Sequence, residues 1–244
     1  MPLNTDYTDR YIAFLDIIGF KDLIEHSECS DILNIYDKIN LNDFLSSISG
    51  NIAFDSIQLP SSIVPSWSIN YKIMSDSICI YIDANVKNAL IELIAVCTNF
   101  QARMLNLDVP ILVRGAIVRG ELYANGDVMF GKGLTKAYQL EEKIAKVPRI
   151  IIPTELIDTY NDCDEQFSKL KNILTYKEED YFYIIQFFLF YTMIARSDVS
   201  CDRVLKLSDY VNHQLNIYFE PSIREKYLYL QKWLKGYKPG ENKT

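Results

Sequence analysis

Histidine is scarce in this 244-residue chain. His26 and His213 stand alone, neither in a metal-ligand spacing, so surface or packing roles fit them. The five cysteines are odd in number, and no two fall within zinc-ligand spacing. Reduced thiols in a cytoplasmic protein fit them best. An excess of basic charge is also missing: 25 Lys and Arg stand against 32 Asp and Glu, a net charge of −7. That weighs against a nucleic-acid binder, which usually carries a basic surface. A small anionic substrate stays open, because a bound metal or a local pocket can reverse the field. No apolar run is long enough to cross a membrane. The longest, Tyr181–Ala195, is broken by Gln186 and Thr192 and falls short of the ~20 residues needed. The N-terminal MPLNTDYTDR has no apolar signal-peptide core. There is no internal repeat, Gly/Ser linker, P-loop or Gly-x-Ser-x-Gly pattern. Glycine is rare, yet more than half of the nine lie between Gly115 and Gly133. Backbone there must turn tightly or approach something closely.

What remains is ordinary globular composition, 49% apolar and 23% charged. The length suits one large domain, or one domain with a helical appendage. Tyr11–Asp16 reads as a buried strand ending in a carboxylate, followed by a helix from near Lys21 and another over 29–48. Residues 49–67, with Pro60 and Pro65, read as an irregular insertion. Ile69–Met74 and Ser77–Ile82 form a hairpin with Asp76 at its tip. Asn85–Leu105 shows helical apolar spacing. Ile111–Val118 is a strand that Gly120–Tyr123 can continue. Gly131–Ala145 is a helix, Arg149–Ile152 a strand and Tyr181–Ile185 a last strand. Helices follow at 187–197, 201–218 and 222–235. This order predicts an α+β, ferredoxin-like (split βαβ) core over residues 1–185, with a helical extension over 186–244 packed on it. The aromatics of 181–191 suit the core or a contact between subunits. The local charge of +4 over residues 221–244 suits a solvated helix and tail.

Two carboxylates carry the chemistry of this reading. In a split βαβ core the first strand and the hairpin are neighbours, so Asp16 and Asp76 can meet at one edge. Two hard oxygen ligands there suit Mg²⁺ or Mn²⁺ with positions left for phosphate oxygens. Ile17-Ile18-Gly19-Phe20 leads into a helix start whose free N–H groups suit a triphosphate. The plainer reading makes Asp16 a helix cap and Asp76 a turn residue.

Phe14-Leu-Asp-Ile-Ile-Gly-Phe20 resembles the first metal motif of class III nucleotidyl cyclases, and Tyr71-Lys-Ile-Met-Ser-Asp76 their second, with Ser75 where Gly is usual. Val113-Arg-Gly-Ala-Ile-Val-Arg-Gly120 resembles their fourth core strand, and Phe130-Gly-Lys-Gly-Leu-Thr-Lys-Ala-Tyr-Gln-Leu-Glu141 the helix after it. The SDS hairpin, RGAI strand, GLTKAYQLE helix and Ser222-Ile-Arg-Glu-Lys-Tyr-Leu look most like the pyrimidine cyclases of bacterial antiphage (Pycsar) systems. The resemblance implies a cytoplasmic homodimer with sites at the subunit interface. It would convert UTP or CTP to the 3′,5′-cyclic monophosphate (cUMP or cCMP) plus pyrophosphate. The product would activate a separate effector. It implies neither nucleic-acid nor membrane partners.

Carried over residue by residue, the resemblance makes Asp16, Asp76 and the Ile17 carbonyl the ligands of two divalent ions. Ile18, Gly19 and Phe20 fall on the phosphate-cradling turn, and Lys72 on the lysine that reads purine in adenylate cyclases. On a strand Lys72, Met74 and Asp76 share a face. The adenine-reading aspartate falls on Val128, beside Asp127; Val128 offers no acceptor to an exocyclic amine, which argues against ATP unless a one-residue gap restores Asp127. The helix Asn and Arg that orient ribose and transition state fall on Thr135 and Gln139, which share one helix face at i and i+4. Neither carries charge, so the cation offsetting phosphate charge is sought among Arg114, Arg119, Lys132, Lys136 and Arg149, with Arg114 foremost as a catalytic residue. Rival readings are a purine cyclase and an inactive cyclase-like nucleotide-binding module.

Overall fold

The computed structural model describes residues 6–39, 69–160 and 200–236, with short pieces at 53–54, 57–58, 171–172, 174–178 and 182–185 between them. β1 (Thr8–Ile17) leads into α1 (Phe20–His26) and α2 (Cys29–Ile39). A short pair, β2 (Ala53–Phe54) and β3 (Ile57–Gln58), precedes the hairpin of β4 (Asn70–Met74) and β5 (Ser77–Asp83). Then come α3 (Ala89–Leu105), β6 (Val113–Asn125), β7 (Val128–Phe130), α4 (Lys132–Lys143), β8 (Ile150–Pro153) and α5 (Thr154–Asp158). β9 (Thr175–Glu178), β10 (Phe182–Ile185), α6 (Ser200–Ile217) and α7 (Pro221–Gly236) complete the described chain.

The main sheet runs β4-β5-β1-β6-β8-β10-β9, with β7 paired to β6. β1 is antiparallel to both β5 and β6, whereas β6 and β8 run parallel. The order β4-β5-β1-β6 places the second, third, first and fourth core strands side by side, which is the split βαβ arrangement the element order predicts. The architecture is α+β.

Tyr11 through Leu15 is apolar without a break because β1 is covered on both faces. Tyr11, Ala13, Leu15 and Ile17 join Ile78, Ile80 and Ile82 in the larger core. Ile12 and Phe14 join Cys79, Tyr81 and Val118 beneath Ala137 of α4. α3 is buried nearly all round, as an apolar helix with few charges demands. Its Gln101 donates from Nε2 to the carbonyls of Val113 and Pro148 at 2.9 and 3.1 Å, tying the start of β6 to the loop before β8. Val204, Leu207, Val211 and Leu215 of α6 and Leu230 of α7 belong to the same core cluster.

The glycine cluster has a concrete cause. A Cβ on Gly120 of β6 would sit 2.8 Å from the Cα of Gly133 in α4, so helix and strand touch backbone to backbone. Gly126, at φ +52°, shapes the two-residue turn between β6 and β7.

Several boundaries differ from expectation. Asn85–Asn88 forms a turn in which Asn88 adopts φ 62°, a left-handed conformation Asn tolerates, so α3 starts only at Ala89. The stretch 49–67 contains the paired β2 and β3 rather than only irregular backbone. β7, α5 and β9 are additional elements, each of five residues or fewer and too short to show a period. The helix expected over 29–48 is described through Ile39; residues 40–48 and the helix expected at 187–197 lie outside the described residues. Among the described residues no helix is long and apolar enough to cross a membrane.

Candidate active site

Asp16 is the penultimate residue of β1, opposite Ser77 of β5 and Arg114 of β6. Asp76 occupies the β4–β5 turn. The two are fastened through backbone, since the Ile17 N–H donates to the Asp76 carbonyl at 2.9 Å. The next amide, Ile18 N–H, donates to Leu112 O at 2.9 Å. Gly19 then adopts φ 82° and starts α1, and Phe20 is buried beneath it. A side chain at position 19 would be strained by that φ although open space surrounds it.

The hairpin tip is held from a second direction. Tyr36 of α2 packs edge-on against Phe20 and donates its hydroxyl to Ser75 O at 2.6 Å. Burial, with the nearby charge of Asp76, raises the Tyr36 phenol above its ordinary value. Ser75 itself stands at φ 56°, the left-handed conformation for which glycine is the usual choice. Tyr36 is a support the sequence did not point to.

Burial pushes the Asp16 carboxyl up from its ordinary range. A hydrogen bond and ion pair from Arg114 pull it back, Asp76 pushes it up further, and the charge of Lys226 on α7 lowers it slightly. Arg114 donates from Nε to Asp16 Oδ2 at 2.9 Å. The same nitrogen lies 2.7 Å from Glu141 Oε1. Glu141 is 2% exposed, and its Oε1 receives no well-directed hydrogen bond from the described residues despite that proximity. Burial outweighs Arg114 and pushes the Glu141 carboxyl up to about 7. No role was expected for Glu141, yet a signal existed. Positions 133, 137 and 141 form one buried stripe of α4, and a carboxylate at a core position is an anomaly.

Lys72 lies opposite Cys79 in the β4–β5 register, on the face that carries Phe14 and Asp16. Its Nζ is buried with no hydrogen-bond partner among the described residues. Burial, only partly offset by Lys72, pushes the Cys79 thiol up to about 12, which keeps it protonated and inert.

Other expected site residues lie elsewhere. Thr135 and Gln139 are exposed on the outward face of α4 and line a cleft of about 400 Å³ with Tyr7, Gly131, Lys132 and Lys136. Asp16 and Asp76 do not line that cleft, so one chain does not bring the two groups together. Thr135 Oγ1 donates to Gly131 O at 3.2 Å. Lys132 pairs with Glu121 at 3.0 Å and Lys136 with Glu155 at 3.7 Å. Arg119 is held by Asp9, and Arg149 by Glu178 and the Ile144 carbonyl. Asp127 lies in the β6–β7 turn and Val128 on β7, both exposed.

Among the described residues no group of three or more His, Cys, Asp or Glu could hold a metal by itself. Asp16, Asp76 and the Ile17 carbonyl still fit a hard divalent cation. They are oxygen donors, and the charge of Asp76 raises Asp16, a repulsion a cation would relieve. Such an ion would need further oxygens from a bound ligand.

The sequence matches no family profile and no curated protein. Among solved structures, the chain is similar to the adenylyl cyclase CyaB from P. aeruginosa, at 13% identity over 75% of this chain and 96% of that one, TM-score 0.44. It is similar to the monomeric guanylyl cyclase domain of the RhoGC fusion protein from the aquatic fungus Blastocladiella emersonii, at 13% identity over 75% and 96%, TM-score 0.49. A third is an adenylate/guanylate cyclase/hydrolase from Silicibacter pomeroyi, at 14% identity over 74% and 98%, TM-score 0.45. All three likenesses are distant.

Proposed function

We propose that this chain is a divalent-metal-dependent nucleotidyl cyclase of the class III type. It closes a pyrimidine nucleoside triphosphate, UTP or CTP, to the 3′,5′-cyclic monophosphate and releases pyrophosphate. The observation that supports this most is one sheet edge where Asp76 is tied to the residue after Asp16, with the unpartnered ammonium of Lys72 on the same face.

The ribose 3′-hydroxyl gives up its proton to water as its oxygen bonds to the α-phosphorus, while the bond from that phosphorus to the oxygen bridging to the β-phosphate breaks and pyrophosphate leaves. Mg²⁺ or Mn²⁺, held by Asp16, Asp76 and the Ile17 carbonyl, would supply Lewis-acid stabilisation at the reacting oxygens. Ile18, Gly19 and Phe20 form the turn beside which the phosphates lie. Arg114 and Lys226 are the cations whose charge reaches Asp16. With Arg114 held between two carboxylates, Lys226 is the freer of the two to meet phosphate charge. Lys72 has a buried donor to offer the base. Thr135 and Gln139, facing away from Asp16, would serve the site of a second copy, which makes the enzyme a homodimer. Preference for a pyrimidine rests on the likeness of the SDS, RGAI and GLTKAYQLE motifs to pyrimidine cyclases, and Val128, with no acceptor for the adenine amine, speaks against ATP. In this reading the enzyme is cytoplasmic, and its product is a second messenger in antiphage defence, sensed by a separate effector.

Purified protein incubated with ATP, GTP, CTP and UTP plus Mn²⁺ tests the reading. A cyclic UMP or cyclic CMP product, reduced at least about 100-fold in both Asp16→Ala and Asp76→Ala, is the expected result. Cyclic AMP or GMP instead would refute the base preference, and nucleotide binding without any product would select the inactive module.

A further inference from the structure

A cation bound to Asp16 must share that carboxylate with Arg114. The guanidinium already gives its Nε–H to Asp16 Oδ2, and a divalent ion arriving on the other oxygen would repel it. Unless the guanidinium has somewhere else to go, it competes with the metal for Asp16.

The structure provides that place. Glu141 Oε1 lies 2.7 Å from the same nitrogen, so Arg114 can transfer its hydrogen bond with little movement. The Glu141 side chain is 3% exposed, so water does not satisfy it. Among the described residues Oε1 has no hydrogen-bond partner to displace. α4 fixes the position of this carboxylate, because Gly133 meets the Gly120 backbone and Ala137 is buried against β1 and β6. Glu141 is therefore a fixed, under-used acceptor within reach of a donor whose present acceptor is a candidate metal ligand.

We propose that Glu141 is a positioning residue that sets the divalent-cation affinity of the Asp16–Asp76 pair by drawing Arg114 off Asp16. The inference rests on the metal-site reading above, and it assigns Arg114 to Asp16 rather than to the substrate.

The test uses the full chain near pH 8 and Mn²⁺ alone, with free Mn²⁺ read by its electron paramagnetic resonance signal. Glu141→Gln keeps the shape but offers a neutral acceptor, so Arg114 stays on Asp16, and the Mn²⁺ Kd should rise about tenfold. The double variant Glu141→Gln/Arg114→Gln removes the competitor as well, and its Kd should return to within about threefold of the wild-type value. A role confined to packing would give no such rescue. Arg114→Gln alone should bind Mn²⁺ no more weakly than wild type, and this keeps the inference open to refutation if Glu141→Gln does not fold. Wild-type binding with an unchanged Kd in Glu141→Gln, or no rescue in the double variant, or a tenfold weaker Arg114→Gln, would overturn this inference alone. No Mn²⁺ binding by the wild-type chain would overturn the metal-site reading and the inference with it.

Discussion

Glu141→Gln should also change how stability depends on pH, and this effect needs no metal. In the folded chain burial raises the Glu141 carboxyl from its ordinary 4.5 to about 7, against the opposing pull of Arg114. The group is an acid with a raised pKa, so the folded state binds its proton more tightly than the unfolded state does. Below pH 4.5 both states are protonated and the contribution to stability is complete. Between pH 4.5 and 7 the unfolded chain has released its proton while the folded chain retains it, so stability falls by about 1.4 kcal/mol per pH unit. Above pH 7 both are ionised and the loss is complete. From pH 5 to pH 8 the wild type should thus lose about 2–3 kcal/mol that Gln, which does not titrate, keeps. For a chain of this size that corresponds to about 5–10 °C in Tm. The assay is thermal unfolding of both proteins in EDTA across that range, reading the difference in Tm so that all other titrations cancel. The variant should gain on the wild type steadily as pH rises. A flat difference would mean that Glu141 is not held in its neutral form. A variant that loses ground at pH 8 would mean that the ion pair with Arg114 outweighs desolvation at Glu141.

Ser75→Gly should stabilise the fold by about 1 kcal/mol, because it relieves a left-handed conformation at the hairpin tip; a lower urea midpoint would count against strain there. Gly120→Ala should cost about 1–3 kcal/mol, since the new methyl meets the Gly133 backbone, which cannot move aside as a side chain could. An unchanged midpoint would show that α4 can shift away from β6. Gln101→Leu should cost about 3 kcal/mol in chemical denaturation by removing two hydrogen bonds from carbonyls near buried backbone, and a cost under about 0.5 kcal/mol would show that the clamp between β6 and the β8 loop is not needed.

The core strands were legible because each carries its own pattern. Tyr11–Leu15 is an unbroken apolar run, and Ser75-Asp76-Ser77 is a turn between two alternating segments. β7 was not legible: a three-residue strand has no measurable period, and only its pairing with Tyr123–Asn125 defines it. The site divides the same way. Asp16 stood out because a carboxylate beside buried apolar residues needs a reason, and Asp76 because it sits at a hairpin tip that a split βαβ order brings beside the first strand. Arg114 stood out as a residue, but its pairings did not: Asp16 lies 98 positions away along the chain, and Glu141 is hidden in a helix stripe. Tyr36 and Lys226 act on the hairpin and on Asp16 only through tertiary packing, which no local pattern encodes.

Strand parity explains how one sheet can be both a core and a site. Opposed residues in the β1, β5 and β6 ladders share a face, so the register sorts them into two sets. Tyr11, Ala13, Leu15 and Ile17, with Ile78, Ile80, Ile82, Val113 and Ile117, face the larger core. Ile12, Phe14 and Asp16, with Ser77, Cys79, Lys72 and Arg114, face the side on which α4 packs. Along that second face the character changes toward one end. Ile12, Val118 and Leu122 are sealed under α4, while Asp16 and Arg114 sit where Glu141 ends the buried stripe of the helix. The helix thus closes the apolar part of the face and leaves its last turn to deliver one carboxylate to the polar part. A one-residue slip of β1 would put Leu15 into the polar end and Asp16 into the core, so the apolar packing of Ile12 and Leu15 fixes the register that holds Asp16 beside Asp76 and Arg114.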